Sequence, residues 1–206
     1  MEIDASLVRT LREKTGVGVM ECKTALREAA GDLEEAVKIL RKKGLSAAAR
    51  RVGRTATEGV IGSYIHAGGR IGVLVEVNCE TDFVARTPEF QGLVKDIAMQ
   101  IAATQPRFVS RQEVTAEVLV QEREVYRAQA LSSGKPPQVV EKIIEGKMDK
   151  FYAEACLYEQ PFVRDPNLTV QEVISSLVAR VGENIRVRRF TRYGVGEQGA
   201  GAVIHG

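Results

Sequence analysis

The stretch Asn78-Cys79-Glu80-Thr81-Asp82-Phe83-Val84-Ala85-Arg86 places a large aromatic, Phe83, beside a carboxylate, Asp82, on a connection between two patterned segments. Connections run over the surface and carry function more often than cores do. An apolar side chain next to an acid at such a junction could be a probe offered to another molecule. Phe is usually buried, so on residue type alone Phe83 would tuck back onto the segment before it. Glu76, Glu80 and Asp82 lie close together in sequence, but paired-carboxylate catalysis depends on separation in space, and most such groups are solvated.

Other catalytic chemistry is sparse. The histidines are His66, at a strand end, and His205, near the C-terminus. Nucleophilic catalysis needs a nucleophile with an oriented base, and neither histidine has a partner at recognisable spacing. Cys22, Cys79 and Cys156 are odd in number and far apart, which is neither a disulfide framework nor a metal-ligand spacing. Gly16-Val17-Gly18 is too short for a phosphate loop, and no strand precedes it. The residues therefore point away from an enzyme, and they imply no metal site and no cofactor.

These residues sit in a chain of 206 residues with 44% apolar and 27% charged content and a formal net charge of +2. That is room for one or two soluble domains with no global signal for a polyanion. No apolar run approaches the ~20 residues that span a bilayer. The acidic start Met1-Glu2-Ile3-Asp4 lacks the layout of a signal peptide. Unpaired cysteines suit a reducing, cytoplasmic setting.

The spacing predicts three short helices over residues 4–44. Asp4 caps the first, whose stripe is Leu7, Val8 and Leu11. Cys22, Ala25, Leu26 and Ala29 make the second stripe. Asp32 caps the third, which carries Leu33, Ala36, Val37 and Leu40 inward and ends at Gly44. A bundle of this size is expected to be only marginally stable and not rigidly tied to the rest. Residues 46–58, rich in small residues and carrying Arg50, Arg51 and Arg54, read as a linker. Alternation over 59–66 and 70–78 around Ala67-Gly68-Gly69 predicts a β-hairpin. Thr87-Pro88 then opens a helix carrying Phe90, Leu93, Val94, Ile97 and Ile101. Ser110–Glu113 has the capping-box pattern. Helices over 116–131 and from Pro137 form a helical hairpin, and a separate helix with Met148, Phe151 and Tyr152 follows. Thr169–Glu172 is a second capping box, and Ile185–Tyr193 reads as a strand. The expected fold is α+β: a three-helix bundle (1–45), a linker (46–58), a core of a small antiparallel sheet, hairpin plus late strand, covered by helices (59–193), and a flexible Gly-rich tail (194–206).

Two further features have competing readings. Arg50, Arg51 and Arg54, with the strand face Arg186, Arg188 and Arg192, could track phosphates, but no stacking aromatics interleave with the first group. The Val17-Gly18-Val19-Met20 turn either closes the bundle core or offers an apolar patch to a partner.

Four segments carry a resemblance. They are Leu11 to Lys23; Gly72 to Ala85; Ser133-Gly134-Lys135-Pro136 with Glu145-Gly146-Lys147-Met148; and Gln160-Pro161-Phe162-Val163 with Gly182-Glu183-Asn184-Ile185. In these, and in their order, the chain resembles the bacterial elongation factor Ts family, in its short form. The resemblance implies a ubiquitin-associated-like N-terminal unit and guanine-nucleotide exchange on elongation factor Tu, in its GDP-bound and nucleotide-free forms, during translation in the cytoplasm. It implies that Thr81, Asp82, Phe83 and Val84 disturb the partner's Mg²⁺ and phosphate site, with Phe83 as a wedge. It also implies that Val17, Gly18, Val19 and Met20, with Leu11 nearby, dock the N-terminal unit. A homodimer is expected, since the short form holds one sheet. No membrane and no direct nucleic-acid role are expected. The alternatives are an RNA-binding or ribosome-associated module using the basic patches, and a ubiquitin-fold adaptor built on residues 1–44. Under the resemblance, Phe83 turns from a packed residue into an insertion element, either exposed throughout or swung out on binding.

Overall fold

A computed structural model describes residues 3–134 and 136–197. Its order is α1 (Ala5–Thr15), α2 (Val19–Glu28), α3 (Leu33–Ala49), β1 (Glu58–Ile65), β2 (Ile71–Cys79), α4 (Asp82–Ala85), α5 (Pro88–Thr104), α6 (Ala116–Ser132), α7 (Pro137–Ala155), β3 (Pro161–Phe162), β4 (Asp165–Thr169), α8 (Val170–Val181) and β5 (Arg186–Gly194). The class is α+β, as the pattern predicts. The described residues divide into two compact units. One takes the chain up to Val60 with Val77–Leu93 and Glu172–Arg186; the other takes Ile61–Glu76, Val94–Gln171 and the chain from Val187 on.

In the first unit the three N-terminal helices close over Val8, Leu11, Cys22, Ala25, Leu26, Ala36 and Leu40. The caps are as expected: Asp4 accepts from the Ser6 N–H at 3.0 Å and Asp32 from the Glu35 N–H at 2.9 Å. One expectation is corrected. Gly44 does not end α3, which runs on to Ala49 because Ser46-Ala47-Ala48-Ala49 is strongly helix-forming and outweighs one glycine. The third helix also meets α8 and the residue that follows it. Arg41 pairs with Glu172 of α8, a Cβ on Gly44 would touch Ala179, and Arg51 Nε donates to the Gly182 carbonyl at 2.9 Å.

The sheet order is β1-β2-β5. The Val195 N–H donates to the Arg70 carbonyl, and Arg189 meets Glu76 at 2.8 Å. These contacts lie the same number of residues apart but run in opposite directions along the two strands, so β2 and β5 are antiparallel. Val73 and Val75 point inward and are buried. Gly62 is a close approach: a Cβ there would run into the Val94 methyl of α5. The other face bears Ile61, Ile65, Leu74 and Tyr193, all exposed.

Elsewhere in the second unit α6 and α7 form the helical hairpin, with Ala130, Val140, Ile144, Met148 and Phe151 in its seam and base. Three corrections fall here. α7 is one helix, Pro137–Ala155, where two in succession are expected. Ser110 makes no capping bond; Arg111–Glu113 is a 3₁₀ turn, and Glu113 reaches back to the Val109 N–H at 2.9 Å. The β3–β4 hairpin was not expected. It is held by the buried Gln100, which accepts from the Val163 N–H at 2.8 Å and donates to the Pro161 carbonyl at 3.1 Å. Gly194 belongs to β5; the tail expected over 194–206 lies, from residue 198 on, outside the described residues, as does His205.

Candidate functional site: an exposed Asp-Phe turn

Where β2 ends, Thr81 is extended and caps α4, its hydroxyl accepting from the Val84 N–H at 3.3 Å. Successive residues of a helical turn point about 100° apart. Burying Val84 and Ala85, each only 5% exposed, therefore throws Asp82 and Phe83 outward. Phe83 is 77% exposed. The expectation that it packs onto its own hairpin is thus overturned: Val84, not Phe83, supplies the anchor. Asp82 pairs with Arg86 at 2.9 Å, and both side chains remain largely in solvent.

The turn is held from several sides. The Thr87 hydroxyl donates to the Val84 carbonyl at 2.8 Å, and the Gln91 amide to the Ala85 carbonyl at 2.6 Å. The main support comes from beyond α8. Gly182, at φ +80°, turns the chain out of the helix, a conformation glycine adopts without strain. Glu183 follows. Its Oε2 accepts the N–H groups of Glu80 and Thr81 at 3.2 and 3.0 Å, and its Oε1 accepts the Thr81 hydroxyl at 2.6 Å. Glu80 answers in the other direction, its carboxylate accepting the Asn184 N–H at 2.6 Å. The buried Asn184 side chain donates to the Arg54 carbonyl at 2.8 Å, and the Arg54 guanidinium lies 3.7 Å from Glu80. Glu183 and Asn184 lie in the last of the motif segments, yet residue chemistry alone gives them no role; no local pattern signals a partner a hundred residues away. Burial, with the nearby Glu183 carboxylate adding to it, pushes the Cys79 thiol up to about 11. At neutral pH it is a protonated donor to the Thr81 carbonyl, at 3.1 Å, and not a nucleophile.

The N-terminal turn divides differently from expectation. Leu11 is fully buried in the bundle core and cannot form part of an outer surface; its place in the first helix stripe explains why. Val17 is half-buried against the same core. Gly18 is exposed at the start of α2, and Val19 and Met20 project at 47% and 71% exposure. Beside them a groove of about 280 Å³ has Ile3, Val8 and Val19 along it and Arg9, Arg12 and Lys23 at its side.

The remaining candidates do not assemble. Glu76 faces Arg189 and Glu80 faces Asn184, so they form no carboxylate pair. The His66 ring meets the Tyr64 hydroxyl at 3.1 Å. No cluster of three potential metal-ligating side chains occurs among the described residues, and no helix there is long and apolar enough to cross a membrane. Several arginines serve structure. Arg51 and Arg186 donate to the backbone carbonyls of Gly182 and Ala56, and Arg192, its side chain 9% exposed, lies between the Ala102 carbonyl and Glu197.

A family model described as elongation factor TS matches residues 8–197. Proteins named elongation factor Ts are similar over most of this length. That of Desulforamulus reducens is 60% identical over 196 residues, covering 95% of this chain and 90% of that protein. That of Geobacter sulfurreducens is 60% identical over 197 residues, covering 96% and 91%. That of Caldanaerobacter subterraneus subsp. tengcongensis is 57% identical over 195 residues, covering 95% and 98%. With all four motif segments inside the matched span, the chain belongs to the bacterial elongation factor Ts family.

Proposed function

We propose that this chain is a guanine-nucleotide exchange factor for elongation factor Tu, acting in translation elongation in the cytoplasm, and that Thr81, Asp82, Phe83 and Val84 form the element that acts on the partner's Mg²⁺ and phosphate site. The observation that carries the reading is Phe83: 77% exposed, within a turn fixed on both flanks. A large aromatic in water on a rigid mount suits insertion into a partner. The four residues divide the work. Phe83 enters between helices of the partner's nucleotide-binding domain, and Asp82 brings a negative charge toward the metal and phosphates. Thr81 and Val84 hold the turn from below.

GDP in such a partner is held by phosphate-loop donors, a Lys and Mg²⁺. Displacing the ion or the loop weakens charge-assisted bonds. Exchange is then reciprocal linkage, each ligand lowering the other's affinity by the same factor, so no bond-making chemistry is asked of this chain. Val17, Gly18, Val19 and Met20 serve as a docking patch on an N-terminal helical domain of residues 1–45. A homodimer in the manner of the short form is supported by the sheet face of Ile61, Ile65, Leu74 and Tyr193, apolar and exposed in a single chain. The test is release of fluorescent GDP from elongation factor Tu, run beside sedimentation of the free protein. Acceleration by the chain and a two-chain mass are expected. Release at the intrinsic rate would remove the exchange reading, and a one-chain mass the dimer.

A further inference from the structure

The support beneath Phe83 is unusual in being reciprocal. Two carboxylates cross: Glu183 takes the backbone N–H groups of Glu80 and Thr81, while Glu80 takes the backbone N–H of Asn184. Such bonds to ionised acceptors are shorter and stronger than neutral ones. Bringing two like charges together is unfavourable by itself, and Arg54, 3.7 Å from Glu80, offsets it. The Thr81 hydroxyl joins both halves, donating to Glu183 at 2.6 Å while accepting from the Val84 N–H that opens α4. One side chain thus fixes the two residues that launch the turn and the hydroxyl that caps it. α4 is a single turn of four residues, too short to hold its shape alone.

We propose that Glu183 is a positioning residue for nucleotide exchange: by holding the Glu80 and Thr81 amides and the Thr81 hydroxyl, it presets the direction in which Asp82 and Phe83 are presented to the partner. The inference rests on the proposed function of the turn. A turn held in its binding geometry loses less freedom on association than one that must be ordered there. Glu183 touches neither nucleotide nor metal in this scheme, and acts through Phe83.

The test is a double-mutant cycle on GDP release from elongation factor Tu, using Glu183→Ala, Phe83→Ala and the pair, with amide hydrogen exchange over residues 80–84 in the free protein. Glu183→Ala is expected to slow release roughly tenfold, the effect of about one charge-assisted hydrogen bond, and to speed exchange at the Glu80 and Thr81 amides. Added to Phe83→Ala, it is expected to slow release no further. Glu183→Gln should recover most of the rate, since its carbonyl oxygen still accepts both N–H groups. If Phe83→Ala is slow and Glu183→Ala is fast, the positioning role is wrong and the proposed function stands. If Phe83→Ala is as fast as wild type, the role of the turn itself falls. Multiplying losses in the double variant would place Glu183 elsewhere in the mechanism and overturn the inference. Should Glu183→Ala not fold, Glu183→Asp, one methylene shorter, draws the carboxylate back from the same two N–H groups and hydroxyl. A several-fold slower release supports the proposal, and an unchanged rate refutes it.

Discussion

Replacing Phe83 by Ala separates folding from function with unusual clarity. Fully burying a Phe side chain is worth about 1.5–3 kcal/mol. Phe83 is 77% exposed, so about a quarter of that, ~0.5 kcal/mol, is at stake in the free protein. In a domain of this size the loss corresponds to a fall in Tm of about 1–2 °C. The same truncation at the centre of an interface typically loses 2 kcal/mol or more, about 30-fold in affinity or rate. Stopped-flow release of fluorescent GDP from elongation factor Tu, over a range of factor concentrations, reads the second effect; thermal unfolding followed by circular dichroism reads the first. A Tm within a few degrees of wild type together with release slowed by at least about 30-fold is the expected pair. Unchanged release in a folded variant would refute the insertion role. A fall in Tm of ~10 °C would show that Phe83 packs internally after all, since it would require several kcal/mol of lost burial.

Four other outcomes follow from the same structure. Met20→Ala, at a side chain 71% exposed, should leave stability unchanged and weaken partner binding on the order of tenfold, measured by titration calorimetry. Leu74→Arg, in the middle of the exposed sheet face, should convert the sedimenting species to a single chain while leaving the circular dichroism spectrum intact. Gly62→Ala should lower Tm clearly, because its Cβ would collide with Val94 and the strand would have to move from α5. The three cysteines are buried and free. Burial holds Cys79 and Cys156 up at about 11, so their reactive thiolate form is scarce at neutral pH and rises only as pH approaches that value. A thiol reagent should therefore react slowly with the native protein at pH 8 and promptly with three groups in denaturant.

Helical spacing was readily legible: Leu11, Leu26 and Leu40 are core residues where periodicity placed them. The hairpin was legible from alternation, and the start of α5 from Thr87-Pro88, with the Thr87 hydroxyl accepting from the Phe90 N–H. The misses are places where the surroundings overrode a local signal. Gly44 reads as a break, yet a glycine costs a helix only about 1 kcal/mol relative to Ala. The helix-forming run Ser46-Ala47-Ala48-Ala49 carries α3 on past it, and Val140, Ile144, Met148 and Phe151 lie in one core along an unbroken α7. The β3–β4 hairpin is too short to show a period, and a buried glutamine, not a hydrophobic pattern, fixes it. At the site, Leu11 and Phe83 exchange the expectations of residue type and motif. Leu11, adjoining the docking motif, is core, while Phe83, of a usually buried type, is exposed. Glu183 was invisible for a different reason. Its partners are Glu80 and Thr81, and only the folded chain brings them together.

GDP release from elongation factor Tu at saturating concentrations of this chain, measured with millimolar free Mg²⁺ and again with Mg²⁺ chelated, bears on both the activity and its proposed route. With Mg²⁺ present the chain should accelerate release by orders of magnitude. With Mg²⁺ removed, intrinsic release should already be faster, and the further acceleration by the chain should shrink, because part of what the turn does has been done. No acceleration with Mg²⁺ present would contradict the exchange function, and an equal acceleration under both conditions would contradict action through the metal and phosphate site.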